Sequence, residues 1–200
     1  MDITAFHKIS YGLFVVTAHE EGKDNGCITN TVMQVTTTPN RITVAVNKAN
    51  YTHDMIRRTG RFNVSILSED AKFDIFKHWG FQSGRDIDKA VGITFSRAEN
   101  GVIYVTEGAN AVLSAEVTSE VDLGTHTLFV AEVTAAESLC NTPSATYAFY
   151  HCNIKPAPER PKKKGWVCTV CGYVYEGETL PEDFTCPWCK HPASDFKEME

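Results

Sequence analysis

The sequence predicts a mainly β chain in two parts: a barrel of strands with short inserted helices, then a small C-terminal metal-binding module. Three observations carry this reading. Runs with apolar residues at every second position recur along residues 1–154. Two C-x-x-C pairs, Cys168-Thr169-Val170-Cys171 and Cys186-Pro187-Trp188-Cys189, stand close together near the C-terminus. Between these regions Lys155 to Lys164 (KPAPERPKKK) holds three prolines and five basic residues with no apolar pattern, which is linker composition. The expected division is therefore 1–154, a spacer 155–164 with a reach of roughly 30 Å, and 165–200.

In order, Tyr11 to Thr17 (YGLFVVT) reads as a strand. Turn chemistry in Glu20 to Gly26, with Asn25-Gly26 tolerating positive φ, predicts a hairpin into a second strand, Cys27 to Met33. Arg41 to Asn47 and Arg61 to Leu67 alternate, with Ile42, Val44 and Val46 on one face of the first and Phe62, Val64 and Ile66 on one face of the second. Between them Asn50 to Gly60 predicts a helix capped by Asn50 or Thr52 and ended by Gly60. Ser68 to His78 predicts another helix, capped by Ser68, and Gly80 to Lys89 a polar loop. Val102 to Val105, Val112 to Val121 and His126 to Val133 are strand-like, and Tyr147 to His151 is a further candidate strand. Strands spread this way predict a barrel closed so that few edges remain exposed.

Composition bounds the function. With 200 residues, 42% of them hydrophobic, one medium domain and one small one can each be packed, and a net charge of −6 argues against nucleic acid as a partner. Residues 165–200 hold seven acids against Lys190 and Lys197, so the small module is an acidic knob that a basic surface could steer. The absence of a leader-like start or a long apolar window predicts a soluble, cytoplasmic protein with no membrane contact. Cys27, Cys140 and Cys152 cannot all pair internally, which fits a reducing compartment; Cys27 reads as a plain buried thiol. His53 and His78 read as helix-surface residues, and His191 as unneeded by the metal site.

Each C-x-x-C pair can turn both sulfurs toward one point, so Cys168, Cys171, Cys186 and Cys189 predict a tetrahedral S4 cage suited to zinc or to thiolate-bound iron. A structural zinc ribbon is the plain reading of such spacing. Gly172 after the second cysteine lets backbone N–H groups approach sulfur, which tunes a redox metal. Trp166, Tyr173, Tyr175, Phe184, Trp188 and Phe196 can pack round the cage and dry it. The stretch GWVCTVCGYVYEGE, then CPWC, then ASDFKEM, resembles a rubredoxin. The resemblance implies one iron in four thiolates that carries one electron. The insert between the pairs is shorter than in free-standing members and similar to the version fused to rubrerythrins.

In the first part, hydroxyls and amides cluster where a barrel does not require them: Thr29-Asn30-Thr31, Asn47 to Thr52, and Ser83 to Lys89. The start of the predicted 50–60 helix, carrying Thr52, offers N–H groups to a phosphate, with Arg85 or Lys89 as countercharge. Singly these are ordinary caps and turns. Their order, DNG, T-N-T, N-K-A-N-Y-T before a helix and GRFNVSIL, then SGRDIDK and HTLFVAEV, resembles the flavin reductase family with the FMN-binding split-barrel fold, over about residues 5–152. That resemblance implies bound FMN and a homodimer with flavin near the subunit interface. Carried over, Thr29, Asn30, Thr31 and Gln34 would line the ring and ribityl chain, and Asn47 and Lys48 the ring edge. Asn50, Tyr51, Thr52, Ser83, Gly84, Arg85 and Lys89 would serve the ribityl-phosphate end. In the family a Gly-Asp-His triplet places histidine near the nicotinamide; here the triplet is Gly124-Thr125-His126, leaving His126 either a catalytic contact or a structural or dimer-contact residue.

Hydride from NAD(P)H arrives as two electrons, whereas one iron in four thiolates accepts one, so a flavin domain joined to an iron module is a two-to-one converter. The whole arrangement resembles the high-molecular-weight rubredoxins. The resemblance implies electron delivery to a flavodiiron protein that reduces nitric oxide or dioxygen, with NAD(P)H feeding FMN directly or through a rubredoxin reductase. Two alternatives differ in class: an NAD(P)H:flavin oxidoreductase with a structural zinc ribbon, and an electron carrier with no turnover of its own.

Overall fold

Barrel strands dominate the first of two compact units, Met1–Ile154 and Lys155–Glu200, in a computed structural model that describes residues 2–156 and 165–199. Most of the expected spacer, residues 157–164, lies outside the described residues.

The first unit carries β1 (Phe14–Glu20), β2 (Lys23–Thr29), β3 (Met33–Thr37), β4 (Asn40–Asn47), α1 (Tyr51–Thr59), β5 (Arg61–Leu67), α2 (Phe73–Gly80), β6 (Phe95–Arg97), β7 (Ile103–Val105), β8 (Ala109–Asp122), β9 (His126–Ser138) and a short helix α3 (Tyr147–Phe149). Seven strands form one antiparallel sheet in the order β2-β1-β5-β8-β9-β4-β3, with β6 and β7 as a separate ladder. Successive residues of β1 are buried on opposite faces. Val16 joins a core with Val44, Val46, Phe62, Val64, Met55, Ile56 and Phe129, while Val15 joins Leu13, Leu67, Phe76, Trp79 and Ile103. A strand covered on both faces loses its alternation, which is why FVV reads as one apolar run.

Four expectations change. The barrel is not closed by strand pairing, because β2 and β3 stand at opposite ends of the strand order. Side chains bridge the split instead. The Thr31 hydroxyl donates to Ala45 O at 2.8 Å, accepts from Ala45 N at 3.1 Å and meets Thr29 Oγ1 at 2.8 Å. The hairpin turns at Glu21-Gly22, whose φ values of 49° and 79° are both positive as a primed two-residue turn requires, and not at Asn25-Gly26. Asn25 and Gly26 lie inside β2, where a Cβ on Gly26 would stand 2.7 Å from the Trp79 ring. The second helix starts at Phe73 with Lys72 at its N-cap; Ser68 bonds Gly108 O and bridges to Ser144 instead of capping. Tyr147 to His151 is helical, continuing into a π-helical turn over Tyr150–Ile154. Its spacing brings Tyr147 within 6.3 Å of Tyr150 and 4.6 Å of His151, ring to ring.

The second unit is a three-stranded sheet, β10 (Gly165–Cys168), β11 (Val174–Tyr175) and β12 (Phe196–Met199), in the order β11-β10-β12. So small a unit supplies little apolar core, and metal ligation is the common remedy. No described helix is long and apolar enough to cross a membrane.

Candidate functional site

Cys168, Cys171, Cys186 and Cys189 place their sulfurs within 4.8 Å of one another, with Cys168 and Cys189 at 3.6 Å and Cys171 and Cys186 at 3.5 Å. Four sulfurs about 2.3 Å from one tetrahedral ion stand roughly 3.8 Å apart, so the donor set fits such a metal. Both knuckles turn through a left-handed residue just after their second cysteine, Gly172 at φ 82° and Lys190 at φ 61°. The backbone N–H of Tyr173 acts to lower the Cys171 thiol, that of His191 the Cys189 thiol, and those of Cys189 and Trp188 the Cys186 thiol. Crowding splits three of the thiols: hydrogen bonding from Cys189 draws Cys171 down to about 5, while Cys189 is pushed up by the same bond and Cys186 by burial. A cation in the cage removes that conflict. Five of the six expected aromatics pack together, with Tyr175 and Phe184 rings 4.8 Å apart, Phe184 and Phe196 5.3 Å, and Tyr173 and Trp188 5.5 Å, while Trp166 donates from Nε1 to Glu178 O at 3.5 Å.

In the first unit the expected residues fall into three groups. Asn47 and His126 face each other across the β4–β9 ladder, and Lys48 N bonds Thr125 O at 3.0 Å. The Lys48 ammonium holds Asp122 at 2.7 Å, and Asp122 accepts from Gly124 N at 2.7 Å, fixing the turn that carries His126. Thr125 Oγ1 lies 2.9 Å from His126 Nδ1, so the hydroxyl of the middle triplet residue is within hydrogen-bond reach of the imidazole.

A second group surrounds the start of α1. Asn50 is its N-cap by position, without a side-chain bond to the first turn, and leaves the helix N-terminus to other acceptors. The Arg85 guanidinium lies 5.0 Å and the Lys23 ammonium 4.9 Å from the centre of the Tyr51 ring. Arg85 also pairs with Asp54 at 2.6 Å, and Lys23 donates to Gly84 O at 2.7 Å, which ties the Ser83-Gly84-Arg85 loop to β2. Burial lifts the Asp54 carboxyl, but bonds from His53 and Arg85 outweigh it and hold the group below the usual carboxylate range. The set of two cations, a helix N-terminus and an aromatic face suits a phosphate-ended ligand. Asn25 Oδ1, buried and without a hydrogen-bond partner, lies where a Cβ on Gly84 would overlap it.

The remaining expected residues have other partners. Thr52 is buried and its hydroxyl accepts from Asn25 Nδ2 at 3.0 Å, facing the core rather than the helix start. Lys89 is likewise buried, donating to Gly26 O at 2.8 Å and to Trp79 O at 2.9 Å, so it locks α2 onto β2 apart from Arg85. Desolvation lowers its pKa to about 8. Gln34 pairs with Ile42, five positions from Asn47 or roughly 17 Å along the strand. It lines an apolar cavity of about 430 Å³ with Phe14, Val32, Ile66 and Leu113. Thr29 and Thr31 bridge the split, and Asn30 is half-buried between them. His53 is not on the surface: it is buried, with Nε2 2.8 Å from Thr127 Oγ1 and Nδ1 3.0 Å from Asp54. His78 is half-buried and donates to Lys89 O at 2.7 Å.

Sequence reasoning missed Lys23, Asn25 and Thr125. Only the DNG stretch hinted at Asn25, because a polar amide buried inside a strand has no local signature.

Comparison with known proteins also falls into two parts. The pattern of the family described as "Flavin reductase like domain" matches residues 6–157, and that of "Rubrerythrin, rubredoxin-like domain" matches residues 166–197. A high molecular weight rubredoxin of Moorella thermoacetica is 35% identical over 229 aligned positions, covering 100% of both chains. A ferric-chelate reductase (NAD(P)H) of Archaeoglobus fulgidus is 42% identical over 151 positions, 76% of this chain and 89% of the relative. Among solved structures, an FMN-binding protein from Thermus thermophilus superposes with a TM-score of 0.62 at 25% identity, over 67% of this chain and 74% of that one.

Proposed function

Because this chain belongs to the flavin reductase-like family and ends in a rubredoxin-like domain, we propose that it oxidises NAD(P)H at a bound FMN and passes the electrons singly to one iron held by Cys168, Cys171, Cys186 and Cys189. The observation that carries this reading is the joining, in one polypeptide, of a flavin reductase-like unit and a rubredoxin-like unit whose four cysteine sulfurs lie within 4.8 Å of one another. FMN, when bound, supplies the conversion of a two-electron hydride into single electrons.

The chain's own residues do the rest. Arg85 and Lys23, held over Tyr51, offer two cations to the terminal phosphate beside the start of α1. Asn47 and Lys48 present an amide and an ammonium at the end of β4, where the ring edge is assigned. Thr125 orients the His126 imidazole on the facing strand, so that it can hydrogen-bond an incoming nicotinamide amide. In the second unit, N–H groups on the cysteine sulfurs favour electron acceptance, and the aromatic shell limits water. The A. fulgidus relative is named for NAD(P)H, which supports direct use of that donor over a separate reductase. A flavodiiron nitric oxide or dioxygen reductase is the proposed acceptor, reached through the acidic surface of residues 165–200. A homodimer is proposed on the family resemblance.

The test is anaerobic mixing of the purified chain with NADH or NADPH, with absorption followed across the flavin and ferric-thiolate bands. Bleaching of both without a second protein is the expected result. Bleaching of flavin alone, with zinc in the cage, would leave a flavin reductase with a structural ribbon, and no bleaching would leave a carrier fed by another enzyme.

A further inference from the structure

Lys155 lies in the last residues of the flavin reductase-like match, 6–157, and precedes the rubredoxin-like match, which begins at residue 166, yet it belongs to the compact unit Lys155–Glu200. Its ammonium donates to Val170 O at 2.8 Å, and Val170 is the residue between Thr169 and Cys171 in the first knuckle. Its stem crosses Gly172, where Lys155 Cε lies 4.0 Å from the position a Cβ would take. Glycine there serves two ends: it permits the φ of 82° and leaves room for the lysine to lie against the knuckle. The side chain is half-buried. Burial pushes its ammonium down, and the sulfurs of Cys171, Cys168 and Cys189 pull it back up, so the charge and the cage are in electrostatic contact.

We propose that Lys155 sets the electron affinity of the cage: a residue outside the rubredoxin-like match places one positive charge on the Cys168–Cys171 knuckle and favours the reduced centre. The proposal rests on the iron reading above. Taking up one electron moves an iron bound by four thiolates from one net negative charge to two, with no bond formed or broken. A fixed cation near the sulfurs stabilises the second charge more than the first, and partial burial protects that effect from salt. Residues 165–200, which hold all four cysteines, carry seven acids against Lys190 and Lys197, so the charge of Lys155 acts on a predominantly acidic stretch. In the full chain the electron comes from the flavin unit, and the lysine tilts that transfer toward the cage.

The experiment uses the full-length chain reconstituted with ferrous iron, with the reduction potential read from the ferric-thiolate absorption during a redox titration. Lys155→Met is expected to lower the electron affinity about tenfold, or 59 mV for a one-electron couple. Lys155→Arg should stay near the parent and Lys155→Glu should fall further. Lys197→Met, an exposed lysine on β12, should have a much smaller effect. Potentials unchanged in Lys155→Met at full iron content overturn the proposal, as does an equal shift in Lys197→Met, which would indicate only a general charge effect. A chain that carries zinc when isolated overturns the iron reading instead, because reconstituted iron still reports on Lys155.

Discussion

Asn25 on β2 donates its side-chain amide to the Thr52 hydroxyl on the first turn of α1 at 3.0 Å, joining two segments that the sequence separates by 27 positions. Asn25 is 1% exposed, as is Thr52, so the bond fixes from within where the helix start stands relative to the hairpin. Gly84 packs on the same amide from the loop side. The phosphate-suited surface is thus assembled on a buried hydrogen bond.

Gly84→Ala should therefore damage the proposed flavin site without removing any of the side chains assigned to it. A Cβ at Gly84 overlaps Asn25, which is buried and cannot swing aside without breaking its bond to Thr52. The expected cost is about 1–3 kcal/mol, or a fall in Tm of roughly 2–4 °C per kcal/mol, together with weaker FMN retention. A variant with parent-like melting and flavin content would show that the loop yields freely.

Arg85→Ala and Lys23→Ala should each weaken FMN binding by about tenfold, in line with loss of one charge-assisted hydrogen bond. Riboflavin, which lacks the phosphate, should bind both variants as it binds the parent. Fluorescence titration with the two flavins separates these outcomes. Equal losses for both would place the cations at some other part of the ligand.

Thr125→Val should reduce kcat/KM for NAD(P)H by about 3–10-fold, the scale of one lost neutral hydrogen bond, while FMN affinity stays unchanged. Thr125→Asp, which restores an acid before His126, should recover most of the loss. Steady-state kinetics under anaerobic conditions provide the check, and a Thr125→Val enzyme with full activity would assign His126 to a structural role.

Cys186→Ser removes one of the four sulfurs. The ferric-thiolate absorption should disappear while the flavin stays bound, and NAD(P)H should still bleach the flavin. Loss of flavin in the same variant would mean that the two units depend on each other for folding.

The hairpin that carries Lys23 and Asn25 is anchored by Asp24, whose carboxylate pairs with Arg97 at 2.6 Å and His19 at 2.8 Å. Burial raises the Asp24 carboxyl, but the bonds from Arg97 and His19 prevail and hold it below its ordinary value. A carboxyl depressed in the folded state contributes stability above its unfolded value, near pH 4, and loses that contribution as pH falls through the folded value. Acid unfolding of the parent should therefore include a component that Asp24→Asn lacks. At neutral pH the substitution should cost about 1–2 kcal/mol, a modest figure because Arg97 is partly exposed. Parallel acid-melting curves would contradict the assignment.

Much of this was legible in the sequence because it is local. The C-x-x-C spacings place sulfurs by knuckle geometry, and Tyr173, Tyr175, Phe184, Trp188 and Phe196 pack on one another in a unit with little other core to join. Gly60 ends α1 with φ 68°, and β5 spans Arg61–Leu67 as its alternation predicts. The errors have one physical origin. Asn25-Gly26 has ideal turn chemistry, but Trp79 from α2 packs where only glycine fits, so the tertiary contact takes the dipeptide into β2 and leaves the turn to Glu21-Gly22. Tyr147 to His151 has strand composition, yet ring contacts at helical spacing decide its conformation.

By itself, then, the order of residues determined a β-rich unit followed by a four-cysteine cage, since periodicity and ligand spacing act over a few positions of chain. Only the folded structure decided where the polar groups stand: Lys89 and Thr52 turn inward, Lys23 and Arg85 each come within about 5 Å of the Tyr51 ring, and the Thr125 hydroxyl lies beside the His126 imidazole. Those choices depend on burial and on partners brought from distant strands, and neither is present in a linear pattern.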